Sequence, residues 1–103
     1  MSTRGTIYFM RQQSSDGYIK IGFSIKVASR RNALQTASPY KIEILALLEE
    51  SRIIENVIHI MLKDSKITGE WFYPTEEVLR CIECVNNNEF PVFIQEASER
   101  GKI

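Results

Sequence analysis

Thr6-Ile7-Tyr8-Phe9-Met10, then Ser14-Ser15-Asp16-Gly17, then Tyr18-Ile19-Lys20-Ile21-Gly22: this run decides the fold. The first segment is rich in β-branched and aromatic residues, and the third alternates apolar with polar. The tetrapeptide between them is made of residues that favour turns. Together they predict a β-hairpin whose adjacent strands can project Tyr8 and Lys20 from the same face.

The pattern continues outward from the hairpin with short connections and no internal repeat. Ser24 is placed to cap a helix from about Ile25 to Thr36, with Val27 and Leu34 a heptad apart on one face and Ser38-Pro39 as its stop. From Lys41 to Glu50, Ile42, Ile44, Ala46 and Leu48 fall at even spacing and predict a third strand with one buried face; Leu45 and Leu47 point to partial cover on the other. Ser51 is a good cap for the next helix, Arg52 to about Lys63. Ile53, Ile54, Val57, Ile58, Ile60 and Met61 form its apolar stripe, with Glu55, Asn56, His59 and Lys63 on the polar side. Gly69-Glu70-Trp71-Phe72-Tyr73-Pro74 reads as a short extended piece. Thr75, followed by Glu76 and Glu77, opens a helix to about Val85 that Asn86-Asn87-Asn88 ends. A last helix, within about residues 89–99, packs through Val92, Phe93 and Ile94, and a loose tail follows from Gly101.

Length and composition set limits on function. A chain of 103 residues with 44% hydrophobic and 25% charged content holds one domain, residues 1–103, and one continuous core at about residues 5–86. No apolar run reaches the length of a membrane span, and Met1–Arg11 does not read as a secretory leader, so a cytoplasmic protein is expected. Cys81 and Cys84, three apart on a helix and without a second pair, suit neither a structural disulfide nor a zinc site. Thirteen Lys and Arg balance thirteen Asp and Glu, which excludes the strongly basic footprint of a tight stand-alone nucleic-acid binder. The charge is uneven, however: Arg4, Arg11, Lys20, Lys26, Arg30, Arg31 and Lys41 face the single Asp16 in the first forty-one positions, and the remainder is net acidic. The basic half is expected to face an anion, with Lys26, Arg30 and Arg31 as nucleic-acid contacts. A homodimer or a partner protein would supply further DNA contacts.

Five short motifs, in order, resemble the GIY-YIG nuclease superfamily, in particular a small phage-type branch whose second motif reads Lys-Ile-Gly. Thr6-Ile7-Tyr8 stands at the first motif and Lys20-Ile21-Gly22 at the second. Arg30 with Leu34-Gln35-Thr36 stands at the helix arginine, Glu55 and His59 at a Glu-x-x-x-His, and Gly69-Glu70-Trp71-Phe72 at the segment bearing the metal-binding glutamate. The resemblance spans about Thr6 to Glu77. Thr6 replaces the first glycine, and Lys20 replaces a tyrosine linked in the wider family to activating water. The resemblance implies an α/β fold, a small, three-stranded, mostly antiparallel sheet flanked by helices, and metal-dependent DNA endonuclease activity. Ile7, Ile21 and Gly22 would be structural motif residues.

The chemistry can be argued from the residues as well. Phosphodiester attack needs a nucleophilic water, neutralised charge on the pentavalent phosphate and help for the leaving oxygen. Glu70 is a hard oxygen donor suited to Mg²⁺ or Mn²⁺, and Arg30 offers a planar fork to the scissile phosphate. Tyr8 and Lys20 would act on water or charge; Lys20 is a base if its neighbours lower its pKa and a charge stabiliser if it stays an ammonium. His59, four residues from Glu55, would take or deliver a proton or orient Tyr8. Gly22 permits either close backbone approach or positive φ. Trp71, Phe72 and Tyr73 read as core anchors. A catalytically inactive module that binds DNA or a protein on the same fold is the alternative.

Overall fold

A computed structural model describes residues 4–14 and 16–103. Ser15 of the expected turn and Met1–Thr3 of the segment read for a leader lie outside the described residues. β1 (Arg4–Gln12) and β2 (Ile19–Ser24) form the expected hairpin, with Tyr8 opposite Gly22 and Met10 opposite Lys20. β3 (Ile42–Ser51) lies antiparallel on the other side of β1. The sheet does not end there. β4 (Lys66–Thr68) and β5 (Trp71–Phe72) extend it beyond β2 to a five-stranded antiparallel sheet of order β3-β1-β2-β5-β4. The expectation of three strands is thereby corrected. β4 and β5 are three and two residues long, too short for alternation to show, and Gly69 and Glu70 join them in a two-residue turn.

The helices cover both faces. α1 (Val27–Ala37) places Val27 and Leu34 over Tyr8, Met10 and Ile42. α2 (Arg52–Met61), α3 (Glu76–Asn86) and α4 (Phe90–Glu99) cover the opposite face, where Ile7, Phe9, Ile19, Ile21, Phe23 and Phe72 meet Ile58, Met61, Val78, Phe90 and Phe93. Ser24 does not cap α1. Lys26 stands at the N-cap, and the Ser24 hydroxyl accepts from the Lys26 backbone N–H at 2.9 Å, closing a local turn before the helix.

Two readings of buried faces change. In β3 the pairing shifts between Phe9 and Met10, which oppose Ala46 and Ile44, so Leu45 is one residue extra. Such a bulge moves all following side chains to the other face. Ile42 therefore packs beneath α1, whereas Ala46 and Leu48 pack in the main core, and Ile44 is partly exposed. On α2, Ile53 and Ile60 are exposed and Glu55, expected on the polar side, is buried. α4 uses Phe90, Phe93 and Ala97 as its buried side, with Val92 exposed. Both cysteines are buried free thiols, and no helix among the described residues is long and apolar enough to cross a membrane.

Candidate functional site

The site lies on the α1 face, where β2 runs between β1 and β5. Gly69 takes φ +56°, a conformation glycine adopts without strain and one demanded at the first position of some two-residue hairpin turns. That turn puts Glu70 at the hairpin tip, and the Ile21 N–H donates to its carbonyl at 2.8 Å, fixing it beside β2. The Tyr8 hydroxyl donates to Glu70 Oε1 at 3.1 Å, and Lys20 Nζ lies 3.3 Å from the same oxygen. Lys20 also sits over the Trp71 ring, 5.1 Å from its centre. One carboxylate oxygen is thus shared by a phenol and an ammonium, and no contact among the described residues occupies the other oxygen.

Gly22 makes this convergence possible. A Cβ there would stand 2.5 Å from both Glu70 Oε1 and Tyr8 Cζ, and closer still to the Tyr8 hydroxyl. Its φ is not positive, so of the two reasons for a glycine at this position the close approach is the one that applies. Tyr8 is a buried side chain. Burial first, and the Glu70 carboxylate second, hold the phenol well above its ordinary pKa, with the Arg30 charge opposing them. Tyr8 is therefore a protonated donor here and not a phenolate base.

The other candidate residues divide. Arg30 is exposed on α1, makes no ion pair among the described residues, and is near enough to lower the Tyr8 pKa. Arg31 turns away to donate to the Ile42 carbonyl at 3.2 Å, tying α1 to β3. Lys26 is exposed at the start of α1. His59 reaches the site from beneath: its Nε2 is 3.0 Å from the Ile21 carbonyl, an oxygen that can only accept, so this nitrogen carries the proton. Nδ1 faces Lys66 Nζ at 3.4 Å, and the ring packs edge-on against Phe72. His59 thereby anchors the strand segment that also receives Glu70. Of the aromatic triplet, Phe72 is a core residue, Trp71 backs Lys20, and Tyr73 is exposed against Tyr18.

Two residues of the site's surroundings are not among the expected site residues, although Glu55 stands in the Glu-x-x-x-His motif. Glu55 is buried, with Oε2 3.6 Å from His59 Nε2; burial raises its pKa, and the nearby Glu70 charge raises it further. Arg52 opens α2 with its guanidinium 4.9 Å from the Phe23 ring centre. A basic residue at a helix N-terminus, against the dipole, was the signal available for Arg52. For Glu55 the Glu-x-x-x-His spacing was a signal, but its burial was not legible, because a carboxylate reads as polar surface until its helix is docked.

Among the described residues no group of three or more His, Cys, Asp or Glu side chains could hold a metal. A hydrated Mg²⁺ or Mn²⁺ does not require one, since such ions often keep most of their waters and take one or two carboxylates. The uncontacted oxygen of Glu70, a half-exposed hard donor, fits that mode.

The five motifs do not place the chain among the GIY-YIG nucleases. A model of a different family, the T5orf172 domain, matches residues 5–86, which corrects the assignment drawn from the motifs. Tripeptides such as Thr6-Ile7-Tyr8 and Lys20-Ile21-Gly22 are also what strand propensity favours in any half-buried hairpin, so they discriminate poorly between families. No curated protein and no solved structure matches the chain. With the match running over well more than half of its length, the chain belongs to the T5orf172 domain family.

Proposed function

We propose that the protein is a metal-dependent nuclease that hydrolyses a phosphodiester bond of DNA at the Tyr8–Lys20–Glu70 cluster. Membership of the T5orf172 domain family is compatible with a role on DNA. The observation that carries the reading is the single carboxylate oxygen of Glu70 held by Tyr8 and Lys20 over a glycine that leaves room for all three. Such convergence of a phenol, an ammonium and a carboxylate costs desolvation and side-chain entropy, and it presents one aimed oxygen to solvent.

In this reading the free oxygen of Glu70 would hold Mg²⁺ or Mn²⁺, and the ion would lower the pKa of a water and polarise a phosphoryl oxygen. Tyr8 donates a hydrogen bond to Glu70 and keeps its proton, fixing the direction of the carboxylate. Lys20, paired as an ammonium, offsets the charge that grows on the phosphate in the transition state, and Arg30 grips the same phosphate from α1. His59 acts as a positioning residue through the Ile21 carbonyl. The test is to incubate supercoiled plasmid with the full chain in Mg²⁺, Mn²⁺ or chelator beside Glu70→Gln. Cleavage that needs the metal and is lost in Glu70→Gln is expected. A wild-type protein that binds DNA but cuts with no divalent metal would leave a binding module in place of the enzyme.

A further inference from the structure

An open recess of about 280 Å³ lies beside the site between the beginnings of α1 and α2, lined by Phe23, Ser24, Ile25, Arg30 and Arg52. Its two charged walls are both guanidinium groups. Neither forms an ion pair among the described residues, a state shared with Lys26, Arg31, Lys41, Lys63, Lys66 and Arg100, so it is their meeting in one recess that distinguishes them. Arg52 is also placed against its own helix dipole, where a cation is disfavoured, and it is held there by stacking on Phe23. The carboxylate nearest in its helix, Glu55, is buried and contacts His59 instead. Two like charges sharing one recess repel each other until an anion enters between them.

We infer that Arg52 and Arg30 together form a subsite for a backbone phosphate of the nucleic acid, flanking the phosphate at Glu70. The inference rests on the nuclease reading for its choice of ligand. Arg30 belongs to both positions: it lies near Tyr8 on one side and lines the recess on the other, so a strand passing the cluster runs from Glu70 across Arg30 to Arg52. Planar guanidinium forks suit phosphate oxygens, and stacking on Phe23 restricts the Arg52 fork before the ligand arrives. Arg52 binds and does not react, so it contributes to affinity and not to turnover.

The experiment measures binding of a short labelled duplex to the full chain in chelator across a salt series, for wild type, Arg52→Gln, Arg52→Lys and Lys63→Gln. Arg52→Gln should weaken binding about tenfold and flatten the slope of log affinity against log salt by about one. Arg52→Lys should restore the slope but only part of the affinity, and Lys63→Gln should change neither. In cleavage assays Arg52→Gln should raise KM and leave kcat unaltered. Equal effects of Arg52→Gln and Lys63→Gln, an unchanged slope in Arg52→Gln, or a wild-type chain that does not bind the duplex would each overturn the subsite. Because binding is read without metal, a protein that binds as described but does not cut removes the nuclease reading while the subsite stands.

Discussion

At the scale of single residues, the site depends on a missing side chain. Gly22 faces Tyr8 directly across the β1–β2 pair, and the Tyr8 hydroxyl and the Glu70 carboxylate fill the space a Cβ would need. In Gly22→Ala the new Cβ would clash with the Tyr8 ring and hydroxyl as well as with Glu70. Glu70, partly exposed at a hairpin tip, can swing away, but Tyr8 is held in packing, so the β1–β2 backbone must shift as well. Glu70 should therefore be displaced, with a stability loss of about 1–3 kcal/mol from overpacking and a loss of activity on the order of a hundredfold from misplacement. Thermal melts and plasmid cleavage on one preparation check both numbers; unchanged cleavage would mean the Tyr8–Glu70 bond is dispensable. Tyr8→Phe removes the donor and keeps the ring. The raised phenol pKa gives the sign of its pH effect: above the ordinary phenol value of about 10 the unfolded chain loses this proton while the folded one keeps it, so stability falls as pH rises. Tyr8→Phe should remove that component of the alkaline decline, seen in denaturant midpoints between about pH 9 and 11.

At the scale of elements, the structure turns on the bulge at Leu45, which lets one strand serve two cores. Its first part closes the small core under α1 that supports Tyr8, and its second part enters the large core under α2–α4. Asn86 Nδ2 donates to the Leu45 carbonyl at 3.1 Å and so holds the irregular point from α3. Deleting Leu45 would remove the extra residue and leave Ile42 and Ala46, then an odd number of positions apart, on the faces they already occupy. What is lost is the packing of Leu45 against the main core and the bond from Asn86. The loss should be about 1–3 kcal/mol with the fold retained, measured by chemical denaturation beside a point substitution at exposed Leu47, whereas failure to fold would mean that the bulge itself is required. This element also shows what the sequence could reveal. The β1–β2 hairpin, β3, and the presence of α1 to α4 were legible because their runs are long enough for a period or a stop signal to show. The bulge was not, since evenly spaced Ile42, Ile44, Ala46 and Leu48 read as one face. Likewise Glu70 could be picked out as a ligand by its chemistry, but its shared contact with Tyr8 and Lys20 exists only once β5 docks on β2. Ser24 shows the same limit, because a hydroxyl before a helix can close its own turn two residues early.

At the scale of the whole molecule, the charge does not separate as it does along the chain. β3 brings Glu43 to Arg11 at 2.7 Å and Glu50 to Arg4 at 3.7 Å, so part of the basic N-terminal excess is cancelled by acids lying beside it in the sheet. Arg30 and Arg52 remain without ion pairs among the described residues and line one recess, Arg30 from α1 and Arg52 from the start of α2. A protein with balanced charge has little long-range attraction for DNA, so a dication at Glu70 would add positive charge where a phosphate must approach. Metal and DNA binding should then be coupled, each tightening the other by the same factor. Ca²⁺, another oxygen-seeking dication, gives a way to measure this apart from Mg²⁺-supported turnover. Duplex affinity of the wild type should increase when Ca²⁺ or Mg²⁺ is added, and the same metals should raise its thermal stability, by about 2.7 kcal/mol at a concentration one hundred times the dissociation constant. Glu70→Gln keeps the shape and loses the charge, so both responses should disappear, while its metal-free affinity should equal or slightly exceed that of wild type because a carboxylate no longer repels the phosphate. Metal responses of equal size in wild type and Glu70→Gln would place the cation away from Glu70 and remove the carboxylate from the proposed chemistry.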